Sequence, residues 1–342
     1  MQKHGLTVFM YKKQLRKEFA SFLKKLSIPH EKGYTDLLLD VSSRESYIET
    51  LSNKADSLHY HLGKCYIEVI DKEFYGCASK LIKKQRLGSI EVIVDITDEN
   101  FYGRTTGLRI HPWTCEKGIK GKFRYLVAGI LFRNKILPFY AAILQRGEFK
   151  AELLGNIVAL CSKMHLQVRY MYLDRGFYTG EVIDELELRG INYLIFARKS
   201  SLFRYMLESI DKQAIIKHEI KYTKDKSSHR AEINIALVKD IDGYDWCFAT
   251  NLFLRDARKY VKLYRKRWNI ETMFRVHDEA RIKSKSIKSI MRVFYFMISM
   301  LLVLLWNLYA KQDYTFKRFL IILGDVFENF DVWGARLCIT LA

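Results

Sequence analysis

The sequence has few prolines, and its cysteines are not clustered. Only three of its 342 residues are proline, and its content of 49% hydrophobic and 28% charged residues is that of an ordinary globular protein, which excludes collagen, coiled-coil rods and wholesale disorder. No two of the six cysteines lie within four residues of each other, which excludes CxxC motifs and zinc-ribbon spacing. Scattered cysteines in a chain of this size are typical of free thiols in a reducing cytoplasm.

Short nucleotide-binding and zinc-binding motifs are missing as well. The sequence contains no GxxxxGK(S/T), no GxGxxG and no HExxH, so it indicates neither a nucleotide cofactor nor a zinc site. The N-terminal segment MQKHGLTVFMYKKQ has no apolar core of signal-peptide length. We therefore predict a cytoplasmic protein without a secretion signal.

Acidic residues are few in comparison with basic ones. The chain has 57 Lys and Arg against 38 Asp and Glu, a net charge of +19. An excess of this size favours a polyanionic partner, with nucleic acid as the first choice and an anionic membrane surface as the second. The length is that of about two domains, enough to bury a core without disulfides or metals.

One long hydrophobic run leaves two interpretations open. Residues 293–306, VFYFMISMLLVLLW, are apolar except for one serine, and with residues 307–310 the run reaches the lower length limit for a membrane-spanning helix. We expect a central helix that is buried on all sides in a soluble domain, because no second such run exists. Membrane association is the alternative.

The order of predicted elements indicates a mixed sheet covered by helices. Three strands come first, followed by helix, strand, helix and strand, which is the ribonuclease-H-like order. The strands are predicted at residues 90–96, 122–132, 136–144, 168–173 and 191–197, and the helices at 149–164 and 179–189. A single long basic helix is predicted from residue 255 to about 282.

Four segments follow from this pattern. Residues 1–85 form a helical, basic N-terminal region, with its first helix at 11–26; it either contacts DNA or is an ordinary solvated region. Residues 86–198 form the first part of an α/β, ribonuclease-H-like catalytic core. Residues 199–250 read as an antiparallel, β-rich insertion. Residues 251–342 complete the core with the basic helix and the apolar helix.

Three acidic residues are candidates for catalysis. Asp95 interrupts an apolar strand, where an unpaired carboxylate is costly, and Asp174 follows the end of another strand, where α/β sheets bind ligands. Glu271 lies on the basic helix, on a face shared with Tyr264 and Arg267 at 100° per residue. Two divalent ions roughly 3.5–4 Å apart, held by such carboxylates, can activate an oxygen nucleophile and neutralise a phosphate.

These residues carry a family resemblance. Asp95 in VDIT, Asp174 in DRGFY and the spacing Tyr264–x2–Arg267–x3–Glu271 resemble the DDE transposases of prokaryotic insertion sequences, in the group with a Tyr–Arg–Glu–Lys signature. The resemblance covers about residues 88–310.

The resemblance implies a function and a site. It implies that Asp95, Asp174 and Glu271 bind two Mg²⁺ or Mn²⁺ ions, that water cleaves the element ends and that the freed 3′-hydroxyl attacks target DNA. Double-stranded DNA is the implied partner, with a homodimer in a synaptic complex and no membrane. The predicted DNA contacts are Tyr264 and Arg267 from the signature, with Arg265, Lys266, Arg275, Arg175, Lys120 and Lys122 along a basic path.

One position departs from the signature. Its lysine falls seven residues after the glutamate, and Asp278 stands there. A catalytically inactive DNA-binding relative is therefore one alternative. A ribonuclease-H-like nuclease without strand transfer is the other, because the sequence does not distinguish it from a transposase.

Overall fold

The computed structural model describes residues 16–44, 46–104, 107–224, 226–310 and 315–324. The chain forms two compact units. Residues 81–272 form one of them, and the segments before and after that range form the other. The segment boundaries at residues 85, 198 and 250 stay predictions.

The unit of residues 81–272 is built on one sheet, with nine strands in the described part of the chain. The strands are β1 (Ser89–Phe101), β2 (His111–Pro112), β3 (Gly121–Phe132), β4 (Lys135–Ile143), β5 (Gln167–Leu173), β6 (Tyr193–Phe196), β7 (Gln213–Lys224), β8 (Ser227–Ile241) and β9 (Tyr244–Thr250). Their order is β2-β3-β1-β5-β6-β9-β8-β7, and β4 also pairs with β3.

The predicted fold class is confirmed. Strand β3 pairs in antiparallel register with β1 and β4, whereas β1, β5 and β6 run parallel; helix α6 (Lys150–Lys163) connects β4 to β5, and α7 (Gly180–Leu188) connects β5 to β6. The β-branched and aromatic runs of the central strands are buried on both faces, as a sheet covered by helices requires. The result is a mixed sheet with flanking helices.

The segment predicted as a β-rich insertion continues this same sheet. It begins with a helix that the sequence analysis missed, α8 (Ser201–Ser209), whose first turn is capped by the Ser200 hydroxyl accepting from Phe203 N. Strand β9 then pairs with β6 in antiparallel register, with Ile195 opposite Ala249. The insertion therefore widens the core sheet through β9, β8 and β7.

The prediction of one basic helix over residues 255–282 is wrong. Two helices occupy this stretch, α9 (Ala257–Arg265) and α10 (Trp268–Glu279), with a turn at residues 266 and 267. Asp256 caps α9 through Oδ1, which accepts from Arg258 N at 3.0 Å. The turn directs Arg267 inward, where it is 7% exposed.

The other unit is helical in the described residues. Its helices are α1 (described over 16–25), α2 (Glu31–Arg44), α3 (Ile48–Leu51), α4 (Lys54–Leu62), α5 (Ile67–Lys83, which runs across the unit boundary), α11 (Ser289–Tyr309) and α12 (Phe316–Gly324). The first predicted helix is thus present from residue 16, while its residues 11–15 lie outside the described part of the chain.

The apolar helix α11 is a core element of its unit. Its side chains from Val293 to Leu305 are buried, and the Tyr295 hydroxyl lies 2.7 Å from His59 Nε2 of α4. Phe294 stacks on Phe22 of α1 at a centroid distance of 6.1 Å. Among the described residues α11 is the one helix long and apolar enough to cross a membrane, and 78% of its apolar window is buried in the fold. The expected burial is confirmed.

This packing predicts a large stability difference between two apolar truncations. Leu302→Ala removes a fully buried side chain and should lower the free energy of unfolding by about 2–5 kcal/mol. Ile287→Ala, at a position 69% exposed in the same unit, should change it by less than about 0.5 kcal/mol. Urea unfolding followed by circular dichroism measures both. Equal, small effects would contradict a core role for α11.

Candidate active site

Parallel pairing of β1 and β5 brings two of the predicted acids together. Val94 is the register partner of Leu173, so the next residues along the two strands, Asp95 and Asp174, are neighbours. Asp95 still lies within β1, opposite Val127 of β3, and its Oδ1 accepts from Ile96 N at 2.8 Å. Asp174 begins the tight 3-10 turn Arg175–Phe177.

Arg267 connects Asp95 to the third predicted acid. Its Nη1 donates to Asp95 Oδ2 at 2.7 Å, and its Nη2 donates to Glu271 Oε1, one helical turn further on. The side chains of Arg267 and Asp95 are 9% and 14% exposed, whereas that of Glu271 is half exposed. A buried guanidinium therefore bridges an acid of the sheet and an acid of α10.

The pKa of Asp95 reflects its burial and the nearness of Asp174, Glu271 and Arg267. Burial raises its pKa to about 6, and the negative charges of Asp174 and Glu271 add to the rise. The Arg267 charge and the Ile96 N–H act in the opposite direction without cancelling it. The ionised form of Asp95 is therefore disfavoured, first by burial and second by the negative charges of Asp174 and Glu271.

Tyr264 forms an aromatic wall behind the guanidinium. Its ring is 3% exposed and packs on Phe248 and Phe196, at centroid distances of 5.1 and 5.7 Å. The Arg267 guanidinium lies 5.6 Å from the ring centroid. Two buried polar atoms here have no hydrogen-bond partner, the hydroxyl of Tyr264 and Nε of Arg267.

A second ion pair, not predicted from the sequence, fixes the turn before Arg267. Lys266 Nζ donates to both carboxylate oxygens of Glu91, at 2.7 and 2.8 Å, and the Tyr172 hydroxyl donates to the same carboxylate at 2.9 Å. Glu91 lies on β1 and Tyr172 on β5. Lys266, predicted as a DNA contact, thus holds the α9–α10 turn against the two strands that carry the aspartates.

Lys150 is another residue that the sequence analysis missed. At the first position of α6, its Nζ donates to Gly176 O at 2.6 Å, within the turn that follows Asp174. Burial lowers its pKa, repulsion from Arg124 adds to this, and Asp174 acts in the opposite direction. A basic group therefore supports the Asp174 turn. Its distance in sequence from Asp174 left no motif by which to find it.

The remaining predicted DNA contacts differ in exposure. Lys120 and Arg175 are exposed. Lys122 is 8% exposed and ion-paired with Glu116 at 2.9 Å, and Arg265 is partly exposed and pairs with Asp242. Arg275 is exposed on the part of α10 that belongs to the other unit.

Asp278, at the position of the signature lysine, has local partners. Arg281 Nη2 lies 2.6 Å from its Oδ1, and the buried ring of His277 lies 3.5 Å away. Burial acts to raise the pKa of Asp278, but His277 and Arg281 outweigh it and hold the pKa below its usual value. The acid therefore stabilises the end of α10 within its own unit.

The chemistry of the three acids fits a hard divalent cation. Mg²⁺ and Mn²⁺ prefer oxygen ligands, and the mutual repulsion of the carboxylates is what such an ion relieves. As they stand, no three His, Cys, Asp or Glu side chains in the described ranges are grouped closely enough to hold an ion. Arg267 supplies the positive charge between Asp95 and Glu271 instead.

Comparison with known proteins finds a matching family model and a similar solved fold. Residues 150–306 match the model of the family described as "Transposase DDE domain". The fold is similar to that of the piggyBac transposase in a cryo-EM structure of its synaptic complex with hairpin DNA, with a TM-score of 0.57 and 10% identity over 98% of this chain and 84% of that one. None of the curated proteins matches the sequence.

The matched model and the similar fold confirm the resemblance to DDE transposases that was stated from the sequence. The matched range contains Asp174 and Glu271 and leaves out Asp95, whose place beside Asp174 comes from strand register.

The raised pKa of Asp95 predicts a pH-dependent cost in stability. Because the folded state binds this proton more tightly than the unfolded state, stability should fall as pH rises from about 4 to about 6. In EDTA at pH 7.5, Asp95→Asn should therefore be more stable than wild type by about 1–3 kcal/mol, and the difference should shrink towards zero near pH 4.

Thermal unfolding across this pH range measures the difference. Asp211→Asn, at an exposed position, is the matched control and should follow the wild-type curve. A destabilised Asp95→Asn protein at pH 7.5 would show that the Arg267 ion pair outweighs the burial of the carboxylate.

Proposed function

We propose that this protein is a DNA transposase of the prokaryotic insertion-sequence type, which cleaves element ends and joins them to target DNA. The observation that carries the proposal is the meeting of Asp95, Asp174 and Glu271 around Arg267, in a chain that matches the family model of a transposase DDE domain. The net charge of +19 favours double-stranded DNA as the partner.

The three acids are the proposed metal ligands. Asp95, Asp174 and Glu271 would hold two Mg²⁺ or Mn²⁺ ions, which when bound supply charge neutralisation and an activated oxygen nucleophile at the phosphate. Glu271 is half exposed, and Arg175 and Gly176, which follow the partly buried Asp174, are exposed, which leaves room for a DNA backbone to approach.

Basic side chains around the acids have separate proposed roles. Arg267 and the exposed Arg175 would bind phosphate oxygens near the cleaved bond, since a guanidinium donates two parallel hydrogen bonds to such groups. Lys120 would contact the duplex at a distance from the acids. Lys266 and Lys122 act through their ion pairs with Glu91 and Glu116, and so position the polypeptide.

The reaction proposed has two steps. Water attacks the phosphodiester at the element end and releases a 3′-hydroxyl, and this hydroxyl then attacks a phosphodiester of target DNA with release of the target strand's own 3′-oxygen. Both steps exchange one oxygen for another on phosphorus and need no covalent enzyme intermediate. A homodimer that holds two ends in a cytoplasmic synaptic complex completes the proposal.

The test replaces one acid without changing its size. Asp174→Asn removes a negative charge that is proposed to hold a cation, so cleavage of a labelled duplex of the repeats that the proposal places on each side of the gene should fall by several orders of magnitude. DNA binding should survive, and could tighten because repulsion of phosphate is lost. Gel assays of wild type and variant with Mg²⁺ and with EDTA measure both properties.

Asp184→Asn is a matched control, because Asp184 pairs with Tyr222 and lies outside the three acids. It should cleave at the wild-type rate. Near-normal cleavage by a folded Asp174→Asn protein would reject the DDE mechanism. Products that are cut and never joined to a second duplex would support the nuclease alternative instead.

A further inference from the structure

Arg267 holds the position between two acids where a positive charge is needed. Its two terminal nitrogens bind Asp95 and Glu271 separately, and its side chain is 9% exposed. We propose that Arg267 is an exchangeable counter-ion: it must leave these acids before they bind a divalent ion, and a phosphate of bound DNA draws it away. Metal binding and DNA binding are then coupled through one side chain. This inference rests on the proposed function.

Competition for the same oxygens is the first step of the argument. Asp95 Oδ2 and Glu271 Oε1 are the atoms that Arg267 contacts, and both belong to proposed metal ligands. A guanidinium and a divalent ion on the same carboxylates would repel each other at short range, in a site where burial weakens solvent screening. Occupation by one therefore opposes occupation by the other.

The setting of Arg267 allows it to change partners. The residue lies in the turn between α9 and α10, and its guanidinium is at the end of a long side chain. The Nε atom of that guanidinium has no hydrogen-bond partner. The hydroxyl of Tyr264 beside it is also unpartnered, while the Tyr264 ring is fixed among Phe196, Trp246 and Phe248. The aromatic wall can stay in place while the guanidinium moves.

The turn between α9 and α10 is held by contacts that do not involve Asp95, Asp174 or Glu271. Lys266 is bound to Glu91 through two hydrogen bonds, and Arg267 N donates to Tyr264 O at 2.9 Å. Movement of the Arg267 side chain therefore does not require the helices to separate. Only the two ion pairs to Asp95 and Glu271 are exchanged.

DNA supplies the competing partner. A phosphate diester matches the planar guanidinium in charge and geometry as well as a carboxylate does. Transfer of Arg267 to phosphate leaves Asp95 and Glu271 without their counter-ion beside Asp174, so their affinity for a divalent ion rises. By linkage, a bound divalent ion must raise the affinity for DNA by the same factor.

The experiment measures Mn²⁺ binding by titration calorimetry, with and without a duplex of the flanking repeat that already ends at the cleavage point. Such a duplex offers the phosphate without a bond to cut. In wild type the duplex should raise the Mn²⁺ affinity about tenfold or more. In Arg267→Gln the affinity without DNA should already be about tenfold higher, and the effect of the duplex should become much smaller.

Two further variants keep the result interpretable. Arg267→Lys retains one positive charge and should bind Mn²⁺ without DNA nearly as weakly as wild type. Arg189→Gln removes an arginine that is paired with Glu185 in the same unit, and should leave both affinities unchanged. If Arg267→Gln does not fold, the comparison of Arg267→Lys with wild type in the presence of the duplex still tests the coupling, which the poorer fit of an ammonium to phosphate should reduce.

The outcomes separate this inference from the proposed function. Glu271→Gln should weaken Mn²⁺ binding whichever role Arg267 has. If Glu271→Gln has that effect and Arg267→Gln does not raise the Mn²⁺ affinity, the counter-ion role is overturned and the metal site stands. If neither Glu271→Gln nor Asp174→Asn affects Mn²⁺ binding, the proposed function fails, and the counter-ion role fails with it.

Discussion

The ion pairs of Arg267 join Asp95, 172 residues away in sequence, to Glu271, one helical turn after Arg267. Asp95 comes from the first strand and Glu271 from the last helix of the unit, and the β1–β5 register adds Asp174. Burial raises the pKa of Asp95 to about 6 even with the Arg267 charge beside it, so the ionised carboxylate disfavours folding and Arg267 reduces that cost only in part. Arg267 lies in the turn between α9 and α10.

The surroundings of this cluster are arranged to hold it in place. Lys266 and Tyr172 bind Glu91, and Lys150 binds the turn that follows Asp174. The buried Tyr264 ring packs on Phe248 beside the Arg267 guanidinium. Each of these contacts limits the movement of a residue or turn next to one of the three acids or to Arg267. A site whose acids repel one another needs such support, since strained arrangements persist only where the rest of the structure fixes them.

Patterns within single elements were predictable from the sequence, and arrangements between elements were not. The β-branched runs predicted strands β1, β3, β4 and β5, with most strand ends correct to within a few residues. Asp95 was recognised as a candidate because it interrupts one of these runs. The break at residues 266 and 267 was missed because the helical periodicity of the basic stretch continues through it. The burial of Lys122 and Tyr264 depends on partners more than five residues away, so both looked like surface residues. Strands β7 and β8 looked like a separate insertion because the pairing of β8 with β9 leaves no local signal.

The most direct test of the account is a crystal structure of the protein grown with Mn²⁺ and a pre-cut duplex of the flanking repeat, with the metal located by anomalous scattering. The account predicts metal peaks among Asp95, Asp174 and Glu271, with the Arg267 guanidinium moved from the acids to a DNA phosphate. Metal bound elsewhere, or Arg267 still bridging Asp95 and Glu271 beside a fully bound DNA end, would contradict it.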